Sequence, residues 1–252
     1  VTDIPASDSR NPPLESAVLL SSVSKSYASE GGAVQVLAGV SLCLRGGNAL
    51  CIMGPSGAGK TTLLKVAAGY LKPDAGDVAL LGMPVYSLPI KERLALRRRI
   101  SFMFQEDLLI DTLTIKENVS LPLFIRGVKG AELDERASRA ISSVGLEGKE
   151  GRWPSEVSGG ARRRASLARC LVSAPQAIFA DEPTSNLDSK NAFMVADLLI
   201  ALASSGLAVV MTTHDPLVAR RFRLRADIRD GCLSADPGAS ADATNCLKMV
   251  PR

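Results

Sequence analysis

Aromatic residues are scarce in this sequence: they fill 4% of its 252 positions, with one tryptophan, three tyrosines and six phenylalanines. So thin a supply argues against a stacking platform for single-stranded nucleic acid, which needs successive aromatic faces for successive bases. No apolar run approaches the ~18 residues that read as a membrane-spanning helix, so any work at a bilayer needs a second chain. Neither sign of charge dominates. Thirty basic residues against 26 acidic ones leave a net charge of +4, too mild to specify a nucleic-acid partner. The five cysteines (Cys43, Cys51, Cys170, Cys232 and Cys246) form no C-x-x-C pair and no Cys/His ligand spacing. Cys43, Cys51 and Cys170 lie inside apolar runs and read as small buried hydrophobes, in keeping with a reducing compartment. The first 15 residues are polar and proline-rich, without the apolar stretch of a secretory signal. They and residues 236–252, rich in Pro, Ser, Ala and Asp, are expected to be loose ends.

What is present is an alternation. Short, nearly continuous apolar runs at Leu50–Met53, Ile100–Phe104, Ala177–Ala180 and Ala208–Thr212 read as strands covered on both faces. Helical stretches separate them at Lys60–Gly69, Ile90–Arg97, Gly160–Ser173 and Lys190–Ser204, which predicts a mainly parallel sheet wrapped by helices. From Glu106 to Pro154 no convincing strand occurs, and Ala131–Val144 carries a helical pattern, so this stretch reads as a helical insertion. The arginine runs Arg97–Arg99 and Arg162–Arg164, and the group Arg220, Arg221, Arg223 and Arg225, read mostly as solvated helix faces.

The first strand runs directly into Gly54-Pro55-Ser56-Gly57-Ala58-Gly59-Lys60-Thr61, a match to G-x-x-x-x-G-K-[ST] between a buried strand and a helix. Gly54, Gly57 and Gly59 permit a turn tight enough to aim backbone N–H groups at phosphate oxygens. The helix that follows adds the positive end of its dipole at the same place. Lys60 supplies a point charge for the β- and γ-phosphates, and the Thr61 hydroxyl suits Mg²⁺. Further on, Ala177–Ala180 ends in Asp181-Glu182-Pro183-Thr184. The two acids therefore emerge at the C-terminal edge of a strand, where ligands bind in open α/β sheets. Asp181 is placed to hold a metal and Glu182 to act as general base on water.

Val157-Ser158-Gly159-Gly160-Ala161 lies about twenty residues before the acid pair and resembles the signature motif of ATP-binding cassette (ABC) ATPases. Arg164 and Leu167-Ala168-Arg169 extend the match. Gln105 follows its strand as the Q-loop glutamine does in that family, and Ser185-Asn186-Leu187-Asp188 looks like the D-loop. His214, the sole histidine, resembles the switch histidine, and Tyr27 stands where the family puts an adenine-stacking aromatic. The resemblance covers roughly residues 17–234. It implies a P-loop NTPase cassette over residues 16–235, with a mainly parallel sheet core, an N-terminal antiparallel β subdomain and a helical subdomain near residues 106–165. It assigns the ATP phosphates to Gly54 through Thr62 (Thr62 included), the γ-phosphate to His214, and Mg²⁺ to Thr61, Asp181 and Gln105. Gln105 would also contact the reacting water.

In the same family Ser158, Gly159 and Gly160, at a helix N-terminus, form a second anion site that faces the nucleotide of an opposite subunit. A dimer with composite sites is therefore implied, whether of identical or of different chains. One residue departs from the pattern: Ala161 stands where the family usually has Gln. The run from Phe102 to Leu123 further resembles the ATPases that partner FtsX- or MacB-type permeases, with amino-acid importer ATPases as the alternative. These resemblances imply a cytoplasmic subunit, peripheral on the inner face of the membrane, with a transmembrane permease as partner. A soluble ABC ATPase acting on DNA or ribosomes would carry a long coiled coil or a second cassette. The sequence shows neither, and no nucleic-acid partner is expected.

Overall fold

The computed structural model describes residues 16–29 and 32–236. The expected loose ends, residues 1–15 and 237–252, lie outside the described residues, although Asp236 at the border is held by an ion pair with Arg225. In chain order the first elements are β1 (Val18–Ser29), β2 (Gly32–Leu44), β3 (Ala49–Met53), α1 (Lys60–Ala67), β4 (Ala75–Leu80), β5 (Met83–Pro84), α2 (Ile90–Arg97) and β6 (Ile100–Met103). Three helices follow, α3 (Ile115–Ile125), α4 (Gly130–Ser143) and α5 (Gly159–Leu171), with a 3₁₀ turn at Pro154–Glu156 before the last. The chain ends in β7 (Ala177–Ala180), α6 (Ser189–Ser204), β8 (Ala208–Thr213), α7 (Pro216–Ala219), β9 (Leu224–Arg229) and β10 (Cys232–Ala235).

Two sheets result. The smaller, in the order β2-β1-β4-β5, is antiparallel throughout, as the resemblance implied. The larger, in the order β10-β9-β3-β8-β7-β6, is parallel except for the edge strand β10. Its inner strands β3, β7 and β8 are buried on both faces because each face has a core of its own. Cys51, Ile178, Ala180, Val209 and Met211 pack with α3, α4, α5 and α6 on one side. Their strand neighbours Leu50, Ile52, Phe179 and Val210 pack with α1 and the antiparallel sheet on the other. Burying each Ile or Phe in this way is worth ~1.5–3 kcal/mol.

The helical insertion starts cleanly because Thr114 and Glu117 form a reciprocal capping box at the head of α3. Asn118 then pins the preceding loop: its amide accepts from the Ile110 N–H at 2.7 Å and donates to the carbonyls of Ile110, Leu113 and Thr114 at 3.0 Å each.

Three expectations are corrected. The strand read as ending at Phe104 stops at Met103, and Phe104 turns outward. Cys43, read as buried, is only half-buried; it alternates with the buried Leu42 and Leu44, so it faces the less covered side of β2. The arginine runs are only partly solvated: Arg98, Arg220, Arg221 and Arg223 are exposed, whereas others turn to the protein. Arg97 donates to the Gly69 carbonyl at 2.6 Å, Arg99 to the Gln176 side chain at 2.7 Å, and Arg163 is 6% exposed.

Candidate active site

Four neighbouring parallel strands deliver the candidate residues to one edge of the large sheet. At their C-terminal ends β3 leads into Gly54–Thr61, β6 into Gln105, β7 into Asp181 and Glu182, and β8 into His214. This is the edge where open α/β sheets bind ligands, because helix N-termini and unpaired backbone N–H groups converge there.

The loop after β3 closes on Gly59, which sits at φ 94° as the residue before α1. A side chain there would be strained by the left-handed backbone, and a Cβ would stand 2.8 Å from the Val36 carbonyl oxygen. The obstacle is backbone rather than a movable side chain. Gly59→Ala should therefore lower stability by at least the ~1–2 kcal/mol of a left-handed residue, visible as a reduced urea midpoint, and an unchanged midpoint would contradict this account of the turn.

Lys60 folds back over its own loop, with Nζ donating to the carbonyls of Gly54 at 2.8 Å and Pro55 at 3.0 Å. The same Nζ pairs with Glu182 Oε1 at 3.1 Å, and both side chains are below a tenth exposed. The other carboxylate oxygen, Oε2, lies 2.8 Å from His214 Nδ1. Glu182 is thus the hub of a three-residue array. It holds that position on a left-handed backbone, φ 47°, which is strained for a non-glycine residue. The strain is offset locally, because the Glu182 N–H donates to Thr212 Oγ1 at 3.0 Å and the Thr212 hydroxyl donates to Asp181 Oδ1 at 2.9 Å. Thr212 is fully buried and orders both acids. It passed unnoticed in the sequence as the last residue of an apolar strand.

Around this hub the other candidates take separate places. Thr61 is exposed at the head of α1. Tyr27, 43% exposed on β1, has its hydroxyl 3.4 Å from Thr62 Oγ1, so it stands beside the head of the same helix. Ser158 is the N-cap of α5 and accepts from the Ala161 N–H at 3.3 Å, and Gly160 is packed against Asn191, at the start of α6. Ser158 therefore caps α5 and Gly160 packs α5 against α6, both by contacts that do not involve Lys60, Glu182 or His214. Asp188, the N-cap of α6, is held below the usual carboxyl range by hydrogen bonds from the Asn191 backbone and side chain. Cys51, three residues before the loop, stays a thiol because burial pushes its pKa far up.

A glycine-rich loop at a helix head, a lysine, and a buried acid pair beside a histidine define a P-loop nucleoside triphosphatase. The ABC transporter family model matches residues 37–185. The lipoprotein-releasing system ATP-binding protein LolD 1 of Rhodopirellula baltica is 39% identical over 86% of this chain and 95% of its own length. The uncharacterized ABC transporter ATP-binding protein YknY of Bacillus subtilis is 38% identical over 85% and 94%. The macrolide export ATP-binding/permease protein MacB of Marinobacter nauticus is 39% identical over 87% of this chain, which corresponds to 34% of that longer protein. Among solved structures, the dimeric post-hydrolysis state of the cassette MJ0796 bound to ADP and Pi matches with a TM-score of 0.78 and 36% identity, covering 86% of this chain and 96% of that one. This chain belongs to the ABC transporter family. It is an ABC-type ATP hydrolase of the branch that holds LolD and MacB.

Proposed function

We propose that this chain works as one half of an ATP-driven dimer that moves an FtsX- or MacB-like permease, in lipoprotein release or efflux, from the cytoplasmic face of the membrane. The observation that carries the reading is the position of Glu182 between Lys60 and His214, which gathers a phosphate-binding cation, a base and a second hydrogen-bonding group on one sheet edge. In this reading the backbone of Gly54–Thr62 and the Lys60 ammonium bind the ATP phosphates, and Tyr27 stacks on the base. Glu182 takes the proton of the attacking water. His214 orients that water and contacts the γ-phosphate, and Gln105 lies on the water and metal side.

Mg²⁺ fits the residues present. Asp181, Thr61 and Gln105 offer only oxygen donors that suit a hard cation, and a Mg²⁺ that keeps waters and phosphate oxygens needs few protein ligands. Among the described residues no group of three or more His, Cys, Asp and Glu could hold a metal by itself. When bound, the ion would supply positive charge against the charge developing on the phosphates.

No helix among the described residues is long and apolar enough to cross a membrane, and the membrane part of the machine is assigned in this reading to the permease. A cleft of about 470 Å³ lined by Arg98, Pro122, the exposed Ile125 and Arg126, next in the chain to the exposed Phe124, supports docking at the helical subdomain. Because Ser158–Gly160 serves the opposite subunit's nucleotide, turnover per chain in Mg-ATP should rise with chain concentration until the dimer saturates. Turnover per chain that stays flat across dilution would overturn the composite site.

A further inference from the structure

The α5 arginines do something that neither their sequence pattern nor the family motifs assign. Arg162, Ser166 and Arg169 recur at helical spacing and so share one face of α5. All three grip the loop that follows β6. Arg162 pairs with the Asp107 carboxylate at 2.9 Å, the Ser166 hydroxyl donates to the Asp107 carbonyl at 2.7 Å, and Arg169 donates to the carbonyls of Leu108 at 2.6 Å and Asp107 at 2.7 Å. Arg163 reaches further along the same loop. Its guanidinium donates to the Phe104 carbonyl at 3.1 Å and to the carbonyl of Gln105 itself.

Arg163 differs from its neighbours in two ways. It is buried, at 6% exposed, and among the α5 arginines it is the one whose hydrogen bonds reach the carbonyls of Phe104 and Gln105. Burying a guanidinium is costly unless every donor direction counts, so the two carbonyls are what holds it in place. Burial accordingly pulls the Arg163 pKa below its ordinary value, opposed in part by Asp107. Arg163 also lies four residues after Gly159, about 6 Å or one turn along the helix axis. The segment facing the partner's nucleotide and the segment carrying Gln105 are therefore one helical turn apart, and at Gln105 itself the buried Arg163 side chain joins them.

We propose that Arg163 is a positioning residue that sets Gln105 and couples it to the seating of the Ser158–Gly160 helix tip. The coupling rests on the reading of Gln105 and of the signature given above. When α5 shifts to meet the second nucleotide, the two carbonyls held by Arg163 shift with it, and Gln105 is carried toward or away from its own site. Arg162, Ser166 and Arg169 keep the remainder of the loop attached, so the movement is passed on as a unit.

The test is a double-variant cycle on the full chain, using ATP and Mg²⁺ and reading kcat, KM and thermal midpoint. Arg163→Met keeps the apolar stem and removes every donor. It should lower kcat by about tenfold, the scale of losing one set of charged hydrogen bonds, with KM changed less than about threefold. Arg163→Gln keeps an amide donor and should recover most of the loss. In a Gln105→Ala background, Arg163→Met should cost less than about twofold more, because both changes act through the same side chain. A loss that multiplies in that background, or a normal kcat for Arg163→Met when Gln105→Ala is slow, overturns the coupling alone. Normal turnover by Gln105→Ala overturns both the coupling and the role given to Gln105. Should Arg163→Met fail to fold, Arg163→Lys, which keeps the charge without the planar fork, carries the same cycle.

Discussion

Glu182→Gln should hold ATP and lose turnover by roughly 10²–10⁴-fold, the range a positioned general base contributes. The substitution is nearly isosteric and leaves the backbone untouched, so the N–H of residue 182 still donates to Thr212 Oγ1 and the strained turn at φ 47° is kept. An amide oxygen still reaches His214 Nδ1, now 2.8 Å from Oε2. What is gone is the ability to take a proton, together with the charge that opposes the triphosphate. Binding is therefore retained or tightened while the chemical step fails, and the ATP-bound dimer accumulates. Equilibrium ATP binding, single-turnover hydrolysis and size-exclusion in ATP measure the three consequences. Hydrolysis at the rate of the unmodified chain would remove Glu182 from the role of base.

Lys60→Ala acts at the other end of the same ion pair and should show the opposite pattern. ATP affinity should fall by roughly 10²-fold, corresponding to two charge-assisted hydrogen bonds of ~1.5 kcal/mol each at ~1.4 kcal/mol per tenfold. A second effect comes from the fold. Lys60 is the cation 3.1 Å from Glu182, whose side chain is 9% exposed, and removal leaves that carboxylate with His214 alone. The variant should accordingly melt earlier than the unmodified chain without nucleotide, by an amount a thermal scan resolves. Undiminished ATP binding in a fluorescence titration would count against the phosphate-loop reading, and an unchanged melting point would show the ion pair to be worth little to the fold. The two variants thus separate binding from chemistry at one contact.

Those two residues were legible in the sequence because their surroundings are short-range. Lys60 and Glu182 each follow an apolar run, β3 and β7, and such runs mark strands buried on both faces irrespective of what lies far along the chain. The parallel core, the edge that carries the site and the existence of a helical insertion follow from the same signal. The long strands β1 and β2 left a weaker trace. Their buried residues, such as Val18, Leu20 and Val23 on the first and Leu37, Val40, Leu42 and Leu44 on the second, are interrupted by register shifts that break the alternation. The antiparallel sheet came only from resemblance.

The arginines failed for a geometric reason. Three consecutive helix positions point about 100° apart, so Arg162, Arg163 and Arg164 cannot share one solvated face; one of them had to turn inward, and Arg163 does. Thr212 was hidden by a different circumstance. Its value lies in bridging Asp181 and Glu182, a pairing some thirty positions away in the chain that no local pattern records.

The large sheet has one more consequence. Adjacent residues of a single strand belong to different cores, Ile178 to the helical side and Phe179 to the side of α1 and the antiparallel sheet. The sheet is in effect a partition, and changes on its two sides share few neighbours, the condition under which their energetic costs add independently. If the permease docks on the α3–α6 half as proposed, a lineage can rework that half to suit a different membrane partner while the α1 half keeps its nucleotide loop intact. The same motor becomes portable from one machine to the next.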